Sequence, residues 1–234
     1  MTFADPDERA APGRARILGA MAKKARASEV ARGRGSTEVR IDHAVVEPSD
    51  LQWLAPVRRL TLWAVDIPDG FLATLPNLDW LDVRGGSGAS ADFLIGCDRL
   101  RYLQLNQIRG LSDVSAVGGL MTLELLSLYG LPRVTVLPSL ARLGALGRLE
   151  LGSLKGLASI APALDAPSLA ELCLIRSVSM GADDPRRIRD AAQIKAFDWF
   201  AEDVPDHVWE PVVRAVDKPA AASISPSDWF ATRE

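Results

Sequence analysis

The apolar positions of this chain fall into a triplet that returns at nearly constant spacing. It reads Val57-x-x-Leu60-x-Leu62, Leu78-x-x-Leu81-x-Val83, Leu100-x-x-Leu103-x-Leu105, Leu123-x-x-Leu126-x-Leu128, Leu146-x-x-Leu149-x-Leu151 and Leu169-x-x-Leu172-x-Leu174, with starts 21, 22, 23, 23 and 23 residues apart. A fixed period of this length is the sign of a stacked repeat architecture. Two degenerate copies flank the six. Val39 and Ile41 hold the second and third apolar positions upstream, and Ile194-x-x-Phe197-x-Trp199 begins 25 residues after its predecessor. Asp66-Ile67-Pro68-Asp69 also returns as Asp203-Val204-Pro205-Asp206 at the same offset from its repeat start. The reading is about eight coils over roughly residues 36–216.

The last three residues of each triplet alternate apolar, polar, apolar, which turns the apolar pair to one face of a short strand. One such unit cannot bury that face alone, and stacking its neighbours does. The pattern predicts parallel strands at Leu60–Leu62, Leu81–Val83, Leu103–Leu105, Leu126–Leu128, Leu149–Leu151 and Leu172–Leu174. Between strands the apolar residues step by about three, as in Leu105, Ile108, Leu111, Val114, Val117 and Leu120. That step suits 3₁₀ turns or extended segments better than α-helix. The expected architecture is an α/β, β-rich solenoid with parallel strands on the concave face and 3₁₀ or irregular turns on the convex face.

A solenoid must be capped where its core would open to water. The first cap is expected over 36–56, from a strand at Val39–Ile41 to a turn at Pro48-Ser49-Asp50. The last is expected as a helix within 206–217, with Val208, Trp209, Val212, Val213 and Val216 on one side; Pro211 argues for a late start or a kink. Residues 1–35 lack the repeat and read as a separate basic segment, mobile or helical. Arg14 to Arg32 fits a basic helix with Ile17, Leu18, Met21 and Ala25 on one face. Residues 218–234 read as a tail whose Trp229-Phe230 pair either folds back on the cap or serves as a docking motif.

The triplet resembles the leucine-rich-repeat family, in its short class of about 22 residues as found in bacterial internalins. The resemblance covers about three-quarters of the chain. It implies a solenoid and says little about activity. The family usually carries Asn or Cys at the ninth position of the repeat; here the residues are Val65, Gly86, Ile108, Leu131, Leu154 and Ser177. Apolar packing is expected to close that corner instead.

Composition narrows the classes further. The 234 residues are 48% apolar with net charge −3, so no global field draws the chain to nucleic acid or an acidic membrane. The charge is uneven: residues 1–40 hold nine Lys/Arg against five Asp/Glu, and the remainder eighteen against twenty-five. No apolar run reaches the length of a membrane span, and the acidic start Asp5-Pro6-Asp7-Glu8 lacks a signal-like apolar stretch, so a cytoplasmic setting is expected. His43 and His207 would sit on the order of 30 Å apart by strand spacing, too far to share a metal or a proton. Cys97 and Cys173 are more than three repeats apart and fit no disulfide. Arg84-Gly85-Gly86-Ser87-Gly88 lacks the Gly-Lys-Ser/Thr of a phosphate loop and reads as accommodation of a shortened repeat. Asp183-Asp184, before Pro185-Arg186-Arg187, reads as a solvated loop. No enzyme, cofactor, metal or small-molecule substrate is indicated.

The outward strand positions carry the functional signal. They are the third (Arg59, Trp80, Tyr102, Leu125, Arg148, Glu171), fifth (Thr61, Asp82, Gln104, Ser127, Glu150, Cys173) and seventh (Trp63, Arg84, Asn106, Tyr129, Gly152, Ile175) of each repeat. These eighteen positions hold two Trp, two Tyr and three Arg, and no Lys. Those types are enriched at binding hot spots. Register makes Trp80 and Tyr102 stacking neighbours, sets Trp63 beside Arg84 for a cation–π contact, and lets Arg148 pair with Glu171. Arg59, Trp63, Trp80, Arg84, Tyr102, Asn106, Tyr129 and Arg148 are the candidate partner-binding residues, with Trp80 and Tyr102 expected to be accessible. The competing reading is that the rings only stabilise the sheet, or lie beneath a terminal tail. The expected function is non-enzymatic binding of a protein partner, in the manner of a toxin-neutralising or regulatory binder. The alternatives are an adaptor docking through its terminal segments, or a translocated effector.

Overall fold

The computed structural model describes residues 24–233. In chain order the elements are β1 (Ala25–Arg26), α1 (Ala27–Val30), β2 (Glu38–Asp42), β3 (Ala44–Val45), α2 (Leu51–Leu54), β4 (Arg59–Trp63), β5 (Trp80–Arg84), β6 (Tyr102–Asn106), β7 (Leu125–Tyr129), β8 (Arg148–Leu154), β9 (Glu171–Val178), α3 (Asp184–Asp190), β10 (Ala196–Phe200), α4 (Asp206–Val216) and α5 (Pro226–Ala231). Strands β2 and β4 to β10 form one eight-stranded sheet in chain order, and every neighbouring pair is parallel. This is the leucine-rich-repeat solenoid that the triplets imply, with each expected strand in place.

The register explains why the triplet must be apolar. Val39, Leu60, Leu81, Leu103, Leu126, Leu149, Leu172 and Phe197 pair successively across the sheet and form one inward row. All are at most 2% exposed, and each Leu so buried contributes roughly 1.5–3 kcal/mol. On the convex side the three-residue step builds 3₁₀ turns at Leu72–Thr74, Asp92–Leu94, Ser115–Gly119 and Ala161–Asp165. Ile108, Leu131 and Leu154 are buried at the ninth position, so apolar packing closes those corners.

A second regularity lies at the eighth position, just past each strand. His43, Ala64, Gly85, Gln107, Gly130, Ser153 and Arg176 all have φ between 49 and 67°. The turned-out amides form a ladder: those of His43, Ala64, Gly85, Gln107 and Gly130 donate to the carbonyls of Trp63, Arg84, Asn106, Tyr129 and Gly152, at 2.7–2.9 Å. Left-handed backbone costs an L-residue roughly 1–2 kcal/mol, so the ladder holds three non-glycine residues, His43, Ala64 and Gln107, in a strained state. At Gly130 a side chain would meet a second obstacle, since a Cβ there would lie 2.7 Å from Gln107 Cγ.

Three expectations need correction. Residues from Ala25 onward do not continue a basic helix to Arg32. β1 pairs parallel with β3, and Ala27 is wholly buried. Arg32 bridges Arg40 antiparallel. The edge of the first coil presents unpaired backbone groups, and this segment satisfies them. Ile17, Leu18 and Met21 lie outside the described residues. Asp184 is not in a solvated loop: it is 1% exposed and opens α3. Its carboxylate accepts from Ser159 Oγ at 2.7 Å, Ile160 N at 2.9 Å and Gly181 N at 2.7 Å, tying two coils together. The final cap helix α4 begins at Asp206 and carries Pro211 within it. The ring removes one helical bond, to the carbonyl of exposed His207, without ending the helix. Val216 is buried and Trp209, Val212 and Val213 pack on the core, but Val208 is 43% exposed and lies off that face.

Candidate functional site

The concave face carries the outward residues in three parallel rows, and the rows differ sharply in exposure. The third-position row lies largely under the C-terminal tail. After α4 the chain turns at Asp217 (φ 49°) and runs back across the sheet. Phe197 N donates to Pro219 O at 2.9 Å, and Arg148 Nη2 to Ala222 O at 3.0 Å. Ser225 then caps α5 by accepting from Asp228 N at 3.1 Å, with Pro226 at the first helical position.

Two rings from α5 fill the centre of the face. Trp229 and Phe230 are 2% and 7% exposed and meet edge to face at 5.1 Å. With Tyr102 and Leu125 they form a core separate from that of the solenoid. Trp80 stacks on Tyr102 at 4.0 Å, as register predicted, and Phe230 tilts against Trp80 at 5.5 Å. Gly147 leaves room for the seal: a Cβ there would lie 3.4 Å from the Trp229 ring and 3.3 Å from Arg233.

Tyr102 is therefore 2% exposed, and Arg148 is also 2% exposed. The expected accessibility of Tyr102 is overturned by the tail that covers it, while Trp80 stays half-buried with Arg59 stacked over its ring at 4.6 Å. The Tyr102 hydroxyl donates to Gln104 Oε1 at 2.8 Å, and burial with Asp82 nearby pushes it far above its ordinary pKa. Arg148 does pair with Glu171, at 2.6 Å, and also with Glu150, at 2.8 Å. The other Glu171 oxygen accepts from Trp229 Nε1 at 3.1 Å. This buried cluster is saturated with partners, so it locks the tail in place rather than presenting a charge to a ligand. Trp229-Phe230 is correspondingly not a displayed docking motif.

The seventh-position row is open. Trp63 is 41% exposed, and Arg84, Asn106 and Tyr129 follow it along the sheet, all partly exposed. The expected Trp63–Arg84 contact is replaced. Arg84 turns back to Asp82, at 2.6 Å, because a bidentate carboxylate competes better than a ring face, and Arg40 from the preceding coil stacks on Trp63 at 5.4 Å. Tyr129 lies against Gly152 of the next strand, where a Cβ would clash with its ring. A glycine at the seventh position was the sequence signal for that laid-over ring.

Neither cysteine suits thiol chemistry. Burial pushes the Cys97 thiol up to about 11 and the Cys173 thiol up to about 12; Arg148 beside Cys173 only partly offsets the effect. Among the described residues no group of three or more His, Cys, Asp and Glu is placed to hold a metal ion, and no helix is long and apolar enough to cross a membrane.

No family model matches the sequence, and no curated protein does. Among solved structures the chain is similar to the crystal structure of an internalin from Listeria monocytogenes strain 4b F2365. The match has 18% identity and a TM-score of 0.31, over 79% of this chain and 73% of that one.

Proposed function

We propose that the protein is a non-enzymatic binding module that grips a protein partner along the open edge of its concave face, centred on Trp63. The observation that carries this reading is the contrast between rings. The chain buries Trp229, Phe230 and Tyr102 with its own tail, yet leaves Trp63 41% exposed, with Arg40 stacked on it and its row continuing through Arg84, Asn106 and Tyr129. An exposed aromatic set in a polar rim is the usual arrangement of a binding anchor. Of the eight candidates, Trp63, Arg84, Asn106 and Tyr129 form this surface. Arg59 and Trp80 flank it, and Tyr102 and Arg148 support it from beneath the tail.

The test is affinity capture from the native cell with wild-type protein, Trp63→Ala, and a convex-face control, Val136→Ala, at a residue 65% exposed. Loss of the same captured protein with Trp63→Ala alone supports the reading. Equal capture by all three refutes it.

A further inference from the structure

A cavity of about 460 Å³ opens at the C-terminal ends of β4 and β5, beside Trp63. Its origin is a missing side chain. The ninth position of successive coils holds Val65, Gly86, Ile108, Leu131 and Leu154, and the last three are buried. Gly86 leaves a gap in that row between Val65 and Ile108. Gly85 (φ 60°) and Gly86 (φ 74°) are both left-handed, a backbone that glycine adopts without strain, and neither carries a side chain into the space. Val65, Ile67, Val83, Phe93 and Ile108 consequently line an apolar hollow.

The rim of the hollow is acidic. Asp66, Asp69 and Asp92 stand around it, against the single cation Lys24 among its lining residues. Lys24 shows what the rim accepts: its ammonium donates to Asp66 at 2.6 Å and to the Ala64 carbonyl at 3.2 Å. Asp69 and Asp92 are left with no basic partner among the described residues; Asp92 accepts only from the Ser90 hydroxyl, at 2.7 Å. On the concave side Arg40 is held by Asp42 at 3.1 Å and Arg84 by Asp82, and Arg109, whose backbone bonds to Gly86 and Gly88, makes no ion pair with the rim among the described residues.

Hollow and concave face are continuous. The Trp63 ring lies over Gly85, where a Cβ would sit 3.1 Å from Trp63 Nε1. A segment crossing Trp63 reaches the hollow directly.

We infer that this hollow receives a basic segment of the protein partner, in which one aliphatic side chain fills the gap at Gly86 and flanking lysine or arginine side chains meet Asp69 and Asp92. The inference rests on the reading of the open edge as the partner surface and adds the partner's chemistry. The aliphatic group completes the interrupted ninth-position row, and the cations restore charge balance at the rim.

The probe is the peptide acetyl-Gly-Lys-Leu-Lys-Gly-amide, titrated into methyl-labelled full-length protein. Two controls are acetyl-Gly-Glu-Leu-Glu-Gly-amide, with the charge reversed, and acetyl-Gly-Lys-Gly-Lys-Gly-amide, without the anchor. The expected result is saturable shifts at Val65, Ile67, Val83 and Ile108 with the first peptide alone. The double variant Asp69→Asn with Asp92→Asn is expected to weaken binding by roughly three- to tenfold, as for two exposed ion pairs. Equal shifts with the acidic or anchorless peptide would overturn the inference. So would the same shifts in protein alone on raising its concentration, which would make a second copy the occupant. The two readings separate cleanly. Loss of the captured partner with Trp63→Ala alongside no peptide preference leaves the open edge standing and removes the hollow.

Discussion

Along the row that begins each strand, Tyr102, Leu125 and Arg148 lie beneath the returning C-terminal tail, whereas along the row that ends each strand Trp63, Arg84, Asn106 and Tyr129 reach water. Both rows draw on the same residue types, aromatic and arginine, and both belong to one sheet. What separates them is whether the chain supplies its own cover. On the first row the tail brings the Ala222 carbonyl for Arg148 and then, in α5, two rings and a capped helix start, so every buried side-chain polar group there is answered. On the second row no described segment crosses Trp63. An aromatic on a repeat surface is therefore not in itself a binding signal; it becomes one when nothing in the chain covers it.

The contrast is open to attack by substitution. The largest expected effect is at the seal and at the core beneath it. Trp229→Ala should cost about 3–5 kcal/mol and Leu126→Ala about 2–5 kcal/mol in chemical denaturation, because each leaves a cavity in close-packed surroundings. Trp63→Ala should cost no more than about 0.5 kcal/mol. Comparable losses at Trp229 and Trp63 would erase the distinction between the rows. Next in size is binding: Trp63→Ala should weaken partner affinity by about 2 kcal/mol, or roughly thirtyfold, measured by calorimetry on the captured partner.

The thiols give a pH test of burial. The Cys173 thiol is raised in the folded state from its ordinary value of 9.0 to about 12. On raising the pH the unfolded chain loses this proton first, so the thiol's contribution is full below pH 9 and is lost as pH climbs towards 12. Wild type should therefore lose more stability than Cys173→Ala over that interval. Equal losses would indicate a wetter site. The smallest effect concerns the strained ladder. Ala64→Gly should raise stability by a few tenths to about 1 kcal/mol, by relieving a left-handed residue at φ 52°.

The solenoid was legible because its signal is repeated: six triplets in register fix strand direction, inward face and spacing together. The Trp80–Tyr102 stack and the Arg148–Glu171 pair were legible for the same reason, since lateral neighbours follow from register alone. What escaped were contacts made once. A terminal tail over the rings was one of the readings the residues left open, but nothing periodic decides for it or says where residues 218–233 cross the sheet. The seal depends on Trp229 reaching Glu171, 58 residues away in sequence. Asp184 escaped because a carboxylate beside Pro and Arg reads as solvated until its three donors are known. Glycines at Gly147 and Gly152 were the available hints, each marking a place where a ring from elsewhere needs room.

Oxidative footprinting read by mass spectrometry shows most directly which ring a partner covers. In the free protein Trp63 should be oxidised readily while Tyr102 and Trp229 are protected. Adding the captured partner should protect Trp63 and leave Tyr102 and Trp229 as they were. Ready oxidation of Trp229 and Tyr102 in the free protein, with partner-dependent protection there and none at Trp63, would contradict the account and place binding beneath the tail.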